Sequence, residues 1–382
     1  HFLAESRSHA AEYFETGLRG DNMTTFFDVV QDINFRTFVC NQLAEGTENR
    51  DYLFPDTLPK LYKYRSLSDY AINDVINNRI PATRIGEFND LFDGAMHRYG
   101  TKEERERAAE KEWDKMEQLR IAAKFPEGLL EHDYYVGIHM NHFKRESRLK
   151  FRELDYLGTF VCCLSSQNDS TLMWSHYAAS NTGICIQYDF NSIKEDSLLR
   201  KIIFPVAYSK KPVDLRDLLA DQKEEITKYP LDAAVLCAAL NKAEVWKYER
   251  EWRIVLVIAT EQINDRRLPL IAPCPSSISF GYHFLRPFFY YDYKNEIECI
   301  NASSCIKNVK KLLEHLVKAK IPITVMVPTI GGYQLIPRAI SVEALQYLVC
   351  KHFRNDKPEN MRYYYVVHDQ LMDLIEETNH HA

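Results

Sequence analysis

No apolar run in the 382-residue chain approaches the roughly 20 residues a membrane-spanning helix needs, so none is expected. The opening stretch, His1-Phe-Leu-Ala-Glu-Ser-Arg-Ser-His9, has no apolar core of the signal-peptide kind. C-x-x-C pairs are missing among the nine cysteines, and an odd count without them is not the framework of a secreted disulfide protein. The thiols are therefore expected to be reduced and mostly buried, in a cytoplasmic protein. There is no basic excess either. With a formal net charge of −6 the chain lacks the overall electrostatic footprint of a nucleic-acid binder, although a local groove can still be basic. Internal repeats and low-complexity segments are also missing.

What the chain does have is apolar and aromatic material. Its 46% hydrophobic content suits a globular body of one large embellished domain or two domains. Aromatics reach 12%, with 23 Tyr and 20 Phe, enough for aromatic-lined surfaces as well as a core.

Taken in order, Phe26, Val30 and Ile33 recur at helical spacing after the capping pattern Thr25-x-x-Asp28, predicting a helical N-terminal region up to about residue 52. Leu61-Tyr-Lys-Tyr-Arg65 predicts a short strand ending in Arg65, and Ser66–Asp69 caps a helix through about Asn78. Ile85–Gly94, dense in Asn, Asp and Gly, predicts a structured loop. Thr101-x-x-Glu104 opens a charged helix with Ala109, Trp113 and Met116 on one face, part of a helical insertion at about 100–150. Phe160–Leu164 predicts a buried strand delivering Ser165 and Ser166 at its end, followed by a short helix over Leu172–Ala178 and a strand over Ile184–Phe190. Leu215, Leu218, Leu219 and Ile226 outline one further helix, and Leu231, Ala234, Val235 and Ala238 another. The expected fold is α+β: a mixed, mainly antiparallel sheet core over 56–337, with a C-terminal helix and tail over 338–382.

The chain is organised around Glu244-Val-Trp-Lys-Tyr-Glu-Arg-Glu-Trp-Arg253, which runs into the apolar Ile254–Ile258. In an extended chain side chains alternate, so Glu249 and Glu251 would share one face, bracketed by Trp246, Tyr248 and Trp252. Two readings are open: a strand start whose glutamates are solvated or paired with Arg250 and Arg253, or a carboxylate pair tuned for chemistry. His176 is a candidate base, with a hydrogen-bonded structural role as its alternative. His139-x-x-His142 has a metal-compatible spacing but no evident third ligand, so no metal site is assigned.

Four segments together resemble a large bacterial family of unknown function: Leu61-Tyr-Lys-Tyr-Arg65, Phe88-Asn-Asp-Leu-Phe-Asp93, Met173-Trp-Ser-His-Tyr-Ala178 and Trp246-x-Tyr-Glu-x-Glu-Trp-Arg253. Leu91 replaces the proline usual in that pattern. More distantly, Arg65, Ser166 and Glu251 in that order look like the Arg/Ser/Glu arrangement of mono-ADP-ribosyltransferases. That likeness implies NAD as substrate, an ADP-ribosyltransferase or NAD glycohydrolase activity, an unidentified macromolecular acceptor, and a toxin or anti-phage defence setting. In this reading Glu251 stabilises the oxocarbenium-like transition state and Arg65 clamps the phosphates. Ser166 orients the ribose, Glu249 serves the acceptor, and Trp174, Tyr177 and Trp252 stack the cofactor. Arg65, His176 and Glu251 are then expected to line one pocket. Two other classes fit the same residues. One is a non-enzymatic nucleotide- or nucleic-acid-binding module built on Trp174, His176, Tyr177 and Trp252. The other is a metal-dependent hydrolase or nuclease using Asp90, Asp93, His176 and Glu251.

Overall fold

The computed structural model describes residues 55–90, 92–97, 101–124, 131–146, 158–195, 197–214, 230–257, 266–291 and 296–380, with Phe35, Val39, Leu43, Pro126 and Gly128. The expectations for Thr25, Asp28, Phe26, Val30 and Ile33, for Leu91 and for the helix over 215–226 lie outside the described residues.

The body is α+β, as the pattern of strands and amphipathic helices predicts. Its sheet strands are β1 (Leu61–Arg65), β2 (Arg79–Arg84), β3 (Thr159–Ser165), β4 (Ile184–Tyr188), β5 (Ile203–Pro205), β6 (Glu251–Val257), β7 (Arg267–Ile271), β8 (Ser277–Phe280), β9 (Ile323–Pro328) and β10 (Leu335–Ile340). They form one ten-stranded sheet in the order β7-β2-β3-β1-β4-β8-β9-β10, with β6 laid along β3 and β5 along β6. Every pairing is antiparallel except β8 with β9. Residues opposite one another in an antiparallel pair share a face. Tyr62 faces Ser165, and Ser165 faces Glu251. One face therefore carries Tyr62, Tyr64, Ser165, Glu251 and Arg253, and alternation sends Lys63, Arg65, Leu164 and Trp252 to the other.

Helices cover both faces. The helix α1 (Asp69–Ile76) buries Ala71, Ile72 and Val75 and is capped by Ser68, whose Oγ accepts the Ala71 N–H. Asp74 of α1 meets Arg65, which places α1 on the Lys63–Arg65 face. The charged insertion holds α2 (Lys102–Ala122) and α3 (His132–Glu146); α2 opens on a full capping box between Thr101 and Glu104. Trp113 of α2 packs edge-on against His132 and Tyr135, and His139 lies against Tyr135. On the tyrosine face, α4 (Thr171–Tyr177) sets Trp174 edge-on to Tyr64 at 5.3 Å. The almost wholly apolar α5 (Pro230–Leu240) leads to the short strand Asn241–Ala243. The long α6 (Glu296–Ala319) sinks Ile306, Val309, Leu313 and Leu316 into the main core, which also takes in Leu345, Leu348 and Val349 of α7 (Val342–His352) and Leu371 and Ile375 of α8 (Tyr364–His380). Phe35 and Val39, both helical, are buried in that same core.

The chain leaves α4 through three successive left-handed residues, Ala179, Ser180 and Asn181, a conformation costly for side chains other than glycine. Gly183 holds this turn. Its N–H donates to the Ala178 carbonyl at 2.8 Å, and its own carbonyl accepts from Gly281 at 2.9 Å. A Cβ on Gly183 would lie 2.2 Å from the backbone oxygen of Arg65. Backbone cannot yield cheaply, so Gly183→Ala should cost on the order of 2–3 kcal/mol. Urea unfolding measures it, and an unchanged midpoint would contradict the packing described.

Candidate functional site

The site grows from one strand end and two turns. Glu249 closes the 3-10 turn Glu244–Glu249, Arg250 takes a left-handed conformation with φ 43, and β6 begins at Glu251. Glu249 and Glu251 thus do not occupy one continuous strand, which corrects the extended-chain reason for grouping them. The sharp reversal at Arg250 brings them together instead. The Nζ of Lys242 donates to the Oε2 of Glu249 and, at 2.8 Å, to the Oε2 of Glu251.

Around this pair lies a buried charge network. Arg253, with no solvent exposure, grips Asp93 through two parallel bonds of 2.7 Å each. It also donates from Nε to Glu251 at 2.8 Å and from Nη1 to the Ala239 carbonyl at 2.7 Å. Its guanidinium stands 5.5 Å over the Phe88 ring. The Glu251 N–H donates to the Tyr208 hydroxyl at 2.8 Å, and the Ser165 hydroxyl donates to the Glu249 carbonyl at 2.6 Å. At the outer end the Tyr177 hydroxyl donates to the Oε1 of Glu249 at 2.6 Å. The chain of contacts therefore runs Asp93, Arg253, Glu251, Lys242, Glu249, Tyr177. It ties the third and fourth motif segments to the second, while Tyr64 joins the first by packing on Trp174 and donating to the Gln167 carbonyl.

Burial and neighbours push the two glutamates apart. For Glu251, burial alone would raise the carboxyl, but Arg253 and Lys242 outweigh it and hold the group well below the usual carboxylate range. For Glu249, burial wins over the pull of Lys242, with the Glu251 charge adding to it, and the carboxyl titrates above its ordinary value. Burial would lower the Lys242 ammonium, but Glu251 and Glu249 raise it on balance, so it stays charged. Burial and Glu249 likewise keep the Tyr177 phenol protonated, as the donor of its bond.

The divergence has a measurable consequence. Glu249 binds its proton more tightly folded than unfolded, so its contribution to stability is present at low pH and falls away as pH rises above the ordinary value of 4.5. Glu251 has the opposite sign: its contribution is present above 4.5 and is lost as pH falls below it. Glu249→Gln should therefore remove the decline above 4.5 while leaving the acid limb intact. Denaturant melts across pH check this, and an unaltered decline would assign it to another group.

Other predicted site residues stand elsewhere. Arg65 lies on the opposite face of the sheet from Glu251, paired with Asp74 at 3.2 Å, because odd and even positions of β1 point apart. Trp252 alternates away from Glu251 for the same reason and packs against the main core. His176 is exposed on α4, 6.4 Å from Tyr177 between ring centres. Ser166 donates to the Arg250 carbonyl at 3.3 Å, a bond that fastens the turn. Trp174 is fully buried, with its Nε1 donating to the Asn168 carbonyl. A single pocket shared by Arg65, His176 and Glu251 does not form. The metal reading meets the same difficulty: Asp93 and Glu251 are clamped by Arg253, Asp90 accepts the Phe92 N–H, and among the described residues no three His, Cys, Asp or Glu side chains converge as ligands.

Tyr177, the outer partner of Glu249, belongs to an aromatic cluster. Tyr62, Tyr177 and Tyr248 are partly buried against Tyr64 and Trp174, and Trp246 lies 6.0 Å from Tyr248, with Lys242 5.2 Å from the Trp246 ring centre. With the geometry set out, the comparison is short. Residues 173–254 match the family described as Protein of unknown function (DUF2971). The match agrees with the resemblance, covering its third and fourth motifs, and it takes in α4 from Met173 onward, Lys242, Glu249, Glu251 and Arg253. No curated protein and no solved structure matches the chain, so a likeness to ADP-ribosyltransferases is not found. Among the described residues no helix is long and apolar enough to cross a membrane.

Proposed function

We propose that this chain cleaves the nicotinamide–ribose bond of NAD, as a glycohydrolase or an ADP-ribosyltransferase-like enzyme, with Glu249 and not Glu251 as the reacting carboxylate. The observation carrying this is the buried Glu249 carboxyl, raised in pKa and held by Tyr177, which belongs to an aromatic cluster with Tyr248, and by Lys242, which lies over the Trp246 ring. A carboxylate with a raised pKa is a stronger base, closer to the optimum for proton abstraction near neutral pH. As the C–N bond breaks, its electron pair passes to the ring nitrogen and nicotinamide leaves neutral. Water, or an acceptor hydroxyl, adds to the ribose carbon and gives its proton to Glu249. Negative charge nearby favours the oxocarbenium-like transition state. Glu251, closed in by Arg253 and Lys242, positions Lys242 and so the charge of Glu249. A macromolecular acceptor and a toxin or defence setting belong to this same proposal.

One observation favours a second reading, a nucleotide-binding module without turnover: both carboxylates are already matched by internal cations. Incubating the full chain with NAD separates the two. Nicotinamide release with a panel of acceptors supports the enzyme; saturable NAD binding with no release supports the module; if neither release nor binding is seen, NAD is not the ligand.

A further inference from the structure

The tyrosines of Leu61-Tyr-Lys-Tyr-Arg65 pack toward the candidate site, but Lys63 and Arg65 point the other way. There β1 and β2 both border β3 yet part from each other, with α1 over the gap. The resulting notch is lined by Lys63, Arg65 and Arg79 against the single carboxylate of Asp74, with Ile186 and Tyr188 as its floor. Two positive charges among the lining side chains are left unmatched. Clustered cations beside a low-dielectric floor repel one another, so the arrangement favours a bound anion.

We infer that this notch is a phosphate site, taking one oxygen of a phosphate group between Lys63 and Arg65 while Arg79 closes on the rest from the rim. The dimensions fit that pose. A cavity of about 10 Å³ holds one water-sized atom and not a whole phosphate, so the remaining oxygens stay at the mouth, where Arg79 is exposed. Lys63 spends one donor on the Cys163 carbonyl at 2.6 Å and keeps two. Arg65 gives one terminal nitrogen to Asp74 at 3.2 Å, and its fork has others. A phosphate dianion matches the two surplus charges. Asp74 is the internal competitor, pushed above the ordinary carboxyl range by burial despite Arg65 and Arg79. This site lies across the sheet from Glu249 and does not depend on the NAD reading.

Titration calorimetry of the full chain with inorganic phosphate, at ionic strength held constant with chloride, tests it. Arg79→Gln and Lys63→Gln should each weaken phosphate binding by about tenfold or more, as losing a charge-assisted contact does. Asp74→Asn should strengthen it, a result that mere structural support would not give, and Glu249→Gln should leave it unchanged. Should Lys63→Gln fail to fold, the exposed Arg79 carries the test alone. An ADP arm tells the source: tighter binding than inorganic phosphate with the same dependence indicates a phosphate ester, and equal or weaker binding indicates the free anion. Chloride binding as well as phosphate, or variants binding like wild type, would overturn the proposal. So would binding of a single-stranded oligonucleotide with none of inorganic phosphate.

Discussion

Arg253→Met should destabilise the protein by about 3–5 kcal/mol, the cost of removing one partner from a fully buried ion pair. Arg253 joins the Asp93 turn to β6 through paired 2.7 Å bonds to Asp93 and a 2.8 Å bond to Glu251, a tighter link than the 3.9 Å ion pair of Lys242 with Asp93. Methionine fills much of the same space but leaves three carboxylates, Asp93, Glu249 and Glu251, buried around a single Lys242, which lies 3.9 Å from Asp93. Without Arg253 the Glu251 carboxyl would lose the main influence holding it low and take up a proton at higher pH, shifting the loss of stability toward neutral pH. The second substitution Asp93→Asn should recover part of the loss, since it removes one of the stranded charges. Urea unfolding of both variants checks this. A loss under about 1 kcal/mol for Arg253→Met would mean that water or rearrangement screens the network, and that it does not hold the Asp93 turn in place.

Local chemistry made much of the fold legible. The alternation of Leu61–Arg65, the capping box at Thr101 and Glu104, and the apolar run Phe160–Leu164 each predict the element found, because backbone period and cap hydrogen bonds are decided within a few residues. Which face of the sheet a strand residue serves is a different matter. Arg65 and Glu251 are separated by pairing through β3, so only the register sends one up and the other down. The pairing of Glu249 with Glu251 illustrates a right grouping on the wrong ground: a left-handed Arg250, not alternation, joins them. Lys242 is not legible in the sequence, because one lysine after an apolar helix has no signature. Its only signals are its position straight after the buried α5 and its spacing of seven from Glu249. Asp93 and Arg253 both fell within motif segments, but 160 residues part them and nothing local pairs them.

Glu249→Gln should lower the rate of nicotinamide release by about 10²–10³-fold, the range for losing one preorganised charged group at a reacting centre. Glutamine keeps the shape, and its amide still accepts from Tyr177 or Lys242, so the fold should hold. It removes the charge and the base. Because that charge acts as the bond breaks, the loss should fall on kcat more than on KM. Glu251→Gln should behave otherwise: it strands Arg253 and loosens Lys242, lowering stability first and activity only through it. The decisive measurement is nicotinamide release at neutral pH by folded wild type and folded Glu249→Gln, with NAD affinity measured on both. The account predicts turnover by wild type, and a variant that binds NAD with similar affinity but is slowed at least about a hundredfold. Equal release from the two proteins would contradict it.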